Sequence, residues 1–361
     1  MRGARSARRT LCALVLTALA IGAPENVDAQ QTENVVLIVT DGLRWQEVFR
    51  GAARRLISAR PGGVGDTTAL LRAFWRDDTE ARRKALLPFL WGTVATQGVI
   101  FGNQDQGSIA RITNRFRFSY PGYNELFTGW FDERIDSNEY PPNPNVTVFE
   151  WLARERAFKG RVGAVATWDA FRRILNPQRA GIDVIDGWDE PFPDASPRDA
   201  RRTTLNAIYR TQIRVWPTNA FDAPMHEVTK EYVQTKKPRL LFVGYGETDE
   251  WAHAGRYDLL LHSAHQVDAF IADLWSTMQG MRQYRGKTTF IITADHGRGS
   301  GAEDWKSHGE RVPGAEDIWI AVIGPDTPAL GERLGGDAVS QSQVAATIAA
   351  LLGRAESYRL F

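Results

Sequence analysis

Cysteine is nearly absent from this chain of 361 residues: the single one, Cys12, lies in the first apolar run. With that run set aside, there is no thiol nucleophile, no disulfide and no Cys-ligated zinc to consider. Cys12 also precedes most of its apolar run, the wrong side for a lipoprotein anchor. An excess of charge of one sign is lacking too, with 44 basic against 43 acidic residues. A nucleic-acid binder wants a strongly basic balance or stripe, so that class is excluded. Long hydrophobic runs are missing. The run near the amino end, LCALVLTALAIGA, is too short to span a bilayer. No internal repeat is visible, which excludes solenoids and propellers.

What the amino end does hold is a leader. Arg2, Arg5, Arg8 and Arg9 precede the apolar run, and Val27-Asp28-Ala29 comes after it as a small-x-small cleavage site. Residues 1–29 read as a removed signal peptide, with an uncleaved anchor as the alternative. The Arg8-Arg9 pair leaves both the Sec and the twin-arginine route open. The expected location is therefore secreted or periplasmic, with no membrane span left after cleavage. Removal takes four Arg and two acidic residues with it, so the net charge moves from +1 to −1. With 43% hydrophobic residues, the remainder is expected to fold around one large core, or a core with a small cap.

Apolar runs without alternation recur at 34–40, 98–102, 161–167, 240–243, 288–293 and 318–323, the pattern of strands buried on both faces. Helical spacing separates them, most plainly over 257–281 and 340–352. The alternation predicts an α/β fold: a three-layer α/β/α sandwich with a mostly parallel central sheet. Residues 30–361 read as a single catalytic domain. Within it, 176–226 is Pro-bearing and irregular, with a helix near 199–215, and is the expected cap or insertion.

Several runs end in chemistry. The first stops at Asp41-Gly42, and an acid at the end of a buried strand is costly unless it caps a helix, is paired, or binds a metal. The run 240–243 leads into Asp249 and His253, four residues apart, so a helical turn puts a carboxylate and an imidazole on one face. A third run ends in Asp295-His296-Gly297. His308 stands in the Gly-bounded loop Lys306-Ser307-His308-Gly309. Ser119 precedes Pro121 in a segment that closes at Gly129, so it stands at a helix amino end, either as a plain N-cap or as a nucleophile. His262 and His265, spaced i, i+3 on the long helix, read as surface or packing residues. Asn145-Val146-Thr147 is a formal glycosylation sequon taken as chance. Mixed carboxylate and imidazole ligands suit zinc or manganese better than calcium or magnesium, and six of them fit two ions better than one.

Taken in order, the acid after the first strand, Ser119 in a loop-to-helix turn, Asp249-x-x-x-His253, Asp295-His296-Gly297 and the later His308-Gly309 resemble the alkaline phosphatase superfamily. The nucleophile segment is most similar to the nucleotide pyrophosphatase/phosphodiesterase-like branch, which has Thr-Phe-Pro-Asn-His-Tyr where this chain has Ser119-Tyr120-Pro121-Gly122-Tyr123-Asn124. The resemblance implies one divalent ion held by Asp249, His253 and His308, and a second held by Asp41, Asp295, His296 and Ser119. It implies Ser119 as the nucleophile of a phosphoric ester hydrolase, with a phosphoseryl intermediate and a small-molecule phosphate ester as substrate. Asn138, with Asn143 as competitor, is the implied donor to a non-bridging oxygen.

Two departures and one different class bear on function. A sulfatase carries Cys/Ser-x-Pro-x-Arg, and here Tyr123 replaces the Arg. The cofactor-independent phosphoglycerate mutases share the metal pattern, with a large inserted domain and no export signal. A secreted protein that keeps the fold only to bind metal or ligand would show a broken ligand set, and this set is complete. Arg44, Arg115, Arg117 and Lys306 are the cations available to a dianionic monoester.

Overall fold

The computed structural model describes residues 30–358. Residues 1–29, read above as a signal peptide, and Cys12 within them lie outside the described residues. Ten strands occur in chain order: β1 Asn34–Thr40, β2 Val99–Phe101, β3 Ala110–Arg111, β4 Val162–Ala166, β5 Asp183–Asp186, β6 Leu240–Tyr245, β7 Thr288–Thr293, β8 Ile320–Ile323, β9 Gly331–Glu332 and β10 Val339–Ser340. Eight form one sheet in the order β5-β4-β6-β1-β7-β8-β2-β9, and β3 pairs with β10 apart from it. Only β8 runs antiparallel to its neighbours in the large sheet.

β1 shows why the sheet is sandwiched. All seven of its residues are buried. Val36 and Ile38 enter one apolar core, with Val228 and Leu260; Val35, Leu37 and Val39 enter the other, with Phe127 and Phe149. A strand alternates its side chains between faces, so an unbroken apolar run needs helices on both. These are supplied by Asp222–Lys236 and Tyr257–Gly280 on the first face, and by Ser119–Thr128, Val148–Ala153 and Gln343–Leu351 on the second. Thr147 caps Val148–Ala153, its hydroxyl accepting from the Glu150 N–H. The resulting α/β/α arrangement with a mostly parallel sheet is the expected one.

Three details differ from the expectation. The run read as 240–243 does not stop there: β6 continues through Gly244 and Tyr245. Residues 183–186, inside the stretch read as irregular, pair with β4 as the edge strand, where an exposed Asp183 and half-buried Val184 and Ile185 hide the apolar signature. The helix in that stretch runs Ala200–Thr211. His262 is exposed beside Phe74 and His265 bonds the Leu86 carbonyl, so both do pack without chemistry. Asn145 is buried and bonded to Asn124 and Asp132.

One buried acid ties the long helix to the sheet's other flank. Both oxygens of Asp268 accept backbone N–H bonds, from Phe89 at 2.7 Å and Leu90 at 2.9 Å. Burial pushes its carboxyl up to about 6. Asp268→Ala is expected to lower stability by about 2 to 4 kcal/mol, since two buried donors lose their acceptor. Ionised Asp268 is disfavoured in the folded state, so wild type loses stability as pH rises from about 4 to 6 and the variant does not. Denaturant melts should therefore show the gap between the two proteins narrowing over that range.

Candidate metal centre

The strand order decides the site. β1 lies between β6 and β7, so the ends that carry Asp41, Asp249 with His253, and Asp295 with His296 are neighbours. Ligands gather at the carboxyl edge of an open parallel sheet for this reason. The turn after β6 is helical over Glu247–His253, and it brings the Asp249 Oδ2 and His253 Nε2 to 3.2 Å.

One half of the site is Asp41, Asp295 and His296. His296 is fully buried, and its Nδ1 donates to the Gly297 carbonyl at 3.0 Å. That bond leaves Nε2 with a lone pair, facing Asp41 Oδ1 at 3.4 Å and Asp295 Oδ2 at 3.5 Å. Neither of those two buried carboxylate oxygens has a hydrogen-bond partner. Three electron-rich atoms converging without a proton between them fit a cation, and this donor set suits a divalent ion. Burial, then the charges of Asp295 and Asp249, push Asp41 well above the usual carboxylate range. Burial and the Asp249 charge push Asp295 up to about 7, and burial brings His296 down to about 4.

The other half is Asp249, His253 and His308. His308 donates Nδ1–H to the Arg117 carbonyl at 3.2 Å, and its Nε2 lies 2.9 Å from His253 Nε2. Asp249 Oδ1 stands 3.8 Å from both His308 Nε2 and His296 Nε2, so it sits between the two halves. Burial pushes Asp249 up, but the Arg298 guanidinium, with the histidines, outweighs it and holds the carboxyl well below its ordinary value.

Ser119 is the first residue of the helix Ser119–Thr128, whose N-cap is Phe118 in extended conformation. The capping role is therefore not its own, and its Oγ instead lies 3.3 Å from His296 Nε2. Asn138 Oδ1 accepts the Tyr120 N–H at 2.9 Å, one residue from Ser119, which leaves its NH2 to donate. Asn143 is fully buried and bonded to Asn124 and the Asn145 N–H, so it serves the scaffold. All seven residues named for the two ions thus meet in one place, with Asn138 beside the serine.

Sequence reasoning missed some of the residues that hold this arrangement. Gly42 adopts φ 59°, donates its N–H to Asp295 Oδ1 at 3.1 Å, and has no room for a side chain, since a Cβ would stand 2.7 Å from Asp249 Oδ1. Tyr123 donates its hydroxyl to Asp41 Oδ2 at 3.0 Å. Thr248 donates to the Asp41 carbonyl at 2.6 Å. Arg298, buried, pairs with Asp249 and donates to the Lys306 carbonyl at 2.7 Å. No periodicity or spacing marks a single Arg after Gly297. The four cations singled out by proximity in sequence are engaged elsewhere: Arg44 with Glu47, Arg115 with Glu310, Arg117 with Glu316, and Lys306 with Glu303. A third cluster, His226, Glu227 and Asp273, is already balanced by Lys230, which lies 2.8 Å from Asp273 and 3.2 Å from Glu227.

The Tyr123 hydroxyl orients Asp41, and outer-shell bonds of this kind are worth about 10-fold to 100-fold in metal affinity. Tyr123→Phe is expected to weaken zinc binding by about 10-fold while leaving the melting temperature of the loaded protein nearly unchanged. Competition with a chromophoric chelator measures the first and calorimetry the second.

A family model described as Metalloenzyme superfamily matches residues 201–354. A 2,3-bisphosphoglycerate-independent phosphoglycerate mutase of Gracilaria tenuistipitata var. liui is 21% identical over 204 residues, 55% of this chain and 38% of that protein's length. The chain thus spans well under half of that curated relative. Among solved structures, an alkaline phosphatase, PafA, crystallised as a mutant, matches 90% of this chain and 96% of its own, with a TM-score of 0.54 and 11% identity. A phosphonate monoester hydrolase of Silicibacter pomeroyi matches 90% and 74%, with a TM-score of 0.51 and 15% identity. A 2-O GAG sulfatase matches 91% and 72%, with a TM-score of 0.52 and 13% identity. The fold is alkaline phosphatase-like, and the order of the motifs along the chain resembles that superfamily.

Proposed function

We propose that this chain, alkaline phosphatase-like in fold and matched over residues 201–354 by a Metalloenzyme superfamily model, is an exported, metal-dependent hydrolase of phosphoric esters that works through a phosphoseryl intermediate. The observation that carries the reading is the position of Ser119 Oγ, 3.3 Å from His296 Nε2, in a pocket where Asp41 Oδ1 and Asp295 Oδ2 are buried without a partner. Asp249, His253 and His308 would hold one ion, and Asp41, Asp295, His296 and Ser119 the other, zinc or manganese. Bound there, the ions would lower the serine hydroxyl pKa and neutralise charge on the attacking and leaving oxygens. The chain's own groups do the remainder. Ser119 Oγ gives up its proton and forms a bond to phosphorus as the ester P–O bond opposite breaks and the alcohol departs. The NH2 of Asn138, its Oδ1 held by the Tyr120 N–H, donates to a non-bridging oxygen. Water then attacks phosphorus, the Oγ–P bond breaks, and Ser119 regains its proton.

With Arg44, Arg115, Arg117 and Lys306 each paired to a glutamate, a singly charged diester is a better match than a dianionic monoester. Against the sulfatase reading stands Tyr123, in the place of the motif's Arg and bonded to Asp41. Purified protein with zinc or manganese should hydrolyse a bis-aryl phosphate fastest, an aryl phosphate more slowly and an aryl sulfate least. Turnover of the sulfate alone would remove the phosphoric ester assignment. Export is supported by the leader's charge and cleavage pattern, and an amino terminus at Gln30 in a periplasmic or culture fraction is the expected finding.

A further inference from the structure

Beside the metal centre, and lined by none of its ligands, lies a cleft of about 370 Å³ whose walls include Gln46, Arg54, Arg55, Trp75, Arg82 and Ser300. Its volume is that of a small-molecule site, for which about 300 to 1,000 Å³ is usual. No carboxylate lines it. Two further guanidiniums at its edge are neutralised, Arg44 by Glu47 and Arg50 by Asp105. Arg54, Arg55 and Arg82 have no carboxylate partner among the described residues. Arg55 instead donates to the Ser300 carbonyl, and Arg82 to the carbonyls of Arg50, Arg76 and Asp77. The Arg82 guanidinium lies 4.4 Å from the Trp75 ring centroid, so part of the wall is a stacked cation and indole.

Gln46 supplies a second, independent sign. It is 8% exposed, and its Oε1 is buried with no hydrogen-bond partner. A buried amide oxygen left unbonded is unfavourable by about 1 to 3 kcal/mol, which a donor arriving in the cleft would relieve. Cations without counter-ions call for an anion, the aromatic wall for a ring that offers it a face, and Gln46 for an O–H or N–H.

We propose that this cleft is a second ligand site, taking an anionic group tethered to a ring that packs a face on the wall and carries a hydrogen-bond donor. A nucleotide and a sugar phosphate share that chemistry. The cleft adjoins the metal centre through Ser300, two residues beyond Arg298, so a ligand here would sit next to the loop that carries His296 and His308.

Titration calorimetry on zinc-loaded Ser119→Ala protein, in which turnover is blocked, tests this with adenosine monophosphate, glucose 6-phosphate and inorganic phosphate as probes. Arg54 and Arg55 are exposed and neither is bonded to a proposed metal ligand, Arg55 donating to the Ser300 carbonyl, so Arg54→Ala/Arg55→Ala in that background leaves the centre intact. The double variant is expected to weaken at least one ring-bearing probe by about tenfold or more, since the arginines hold its anionic group. Loss for the nucleotide alone, the sugar phosphate alone, or both names the ring and supports the site. Equal affinities with and without the two arginines, for both ring-bearing probes, would overturn it, as would inorganic phosphate binding the cleft as tightly as either of them.

Discussion

Replacing Ser119 by alanine should lower the rate of phosphoric ester hydrolysis by about three to four orders of magnitude, with the fold kept. The size of the effect reflects the group removed. Without Oγ no phosphoseryl ester can form, and only direct attack by water, helped by the charge of the site, remains. The fold survives because Ser119 is not the N-cap of the helix Ser119–Thr128, that position being held by Phe118 without a side-chain cap bond, and because the described partner of Oγ is His296 alone, at 3.3 Å. Steady-state rates and a circular dichroism melt decide the matter. A variant that turns over at the wild-type rate would show that another group attacks phosphorus.

Stripping divalent ions with a chelator should abolish hydrolysis and also destabilise the protein, and the destabilisation should grow with pH. Asp41 and Asp295 are pushed up in the metal-free site, Asp295 to about 7, by burial and by the charge of Asp249. An acid whose folded pKa is raised is most at home when protonated, so the contribution of these carboxylates to the stability of the metal-free protein falls as pH climbs toward that value, while the neutral His296 and His308 weigh alike with and without ions. From about pH 5 to pH 7 the loss at Asp295 is on the order of 3 kcal/mol, at about 1.4 kcal/mol for each unit. Bound ions favour the ionised carboxylates and remove this slope. Thermal melts with and without chelator should therefore differ by several degrees more at about pH 8 than at about pH 5. A pH-independent gap would mean that these carboxylates do not hold the ions.

Much of the centre was legible from residue order. A buried strand without alternation that ends in an acid is informative because water cannot solvate that acid. Asp41, Asp249 and Asp295 all carried this sign, and each brought or faced a histidine. The spacing of Asp249 and His253 implied one face of a helix, and the turn Glu247–His253 has that form. Ser119 was legible only as a residue at a helix start, since an N-cap and a nucleophile look alike in sequence. Phe118 as the cap and His296 across the pocket separate the two. Proximity in sequence misled for the cations, because Arg115, Arg117 and Lys306 lie near site residues along the chain yet turn toward glutamates.

Local patterns by themselves determined the α/β class, the buried strands β1, β4, β6 and β7, the long helix and the side chains that converge at the candidate metal centre. These depend on periodicity and on the few residues at the carboxyl end of each strand, both of them properties of a short stretch of chain. Only the tertiary structure decided that β6, β1 and β7 lie side by side, that the Gly42 N–H meets Asp295 and that Arg298 pairs with Asp249. It also decided that three arginines share a cleft with Gln46 and Trp75. Contacts such as Gly42 with Asp295, 253 residues apart, have no local signature, because they arise from strand order and from the packing of both cores.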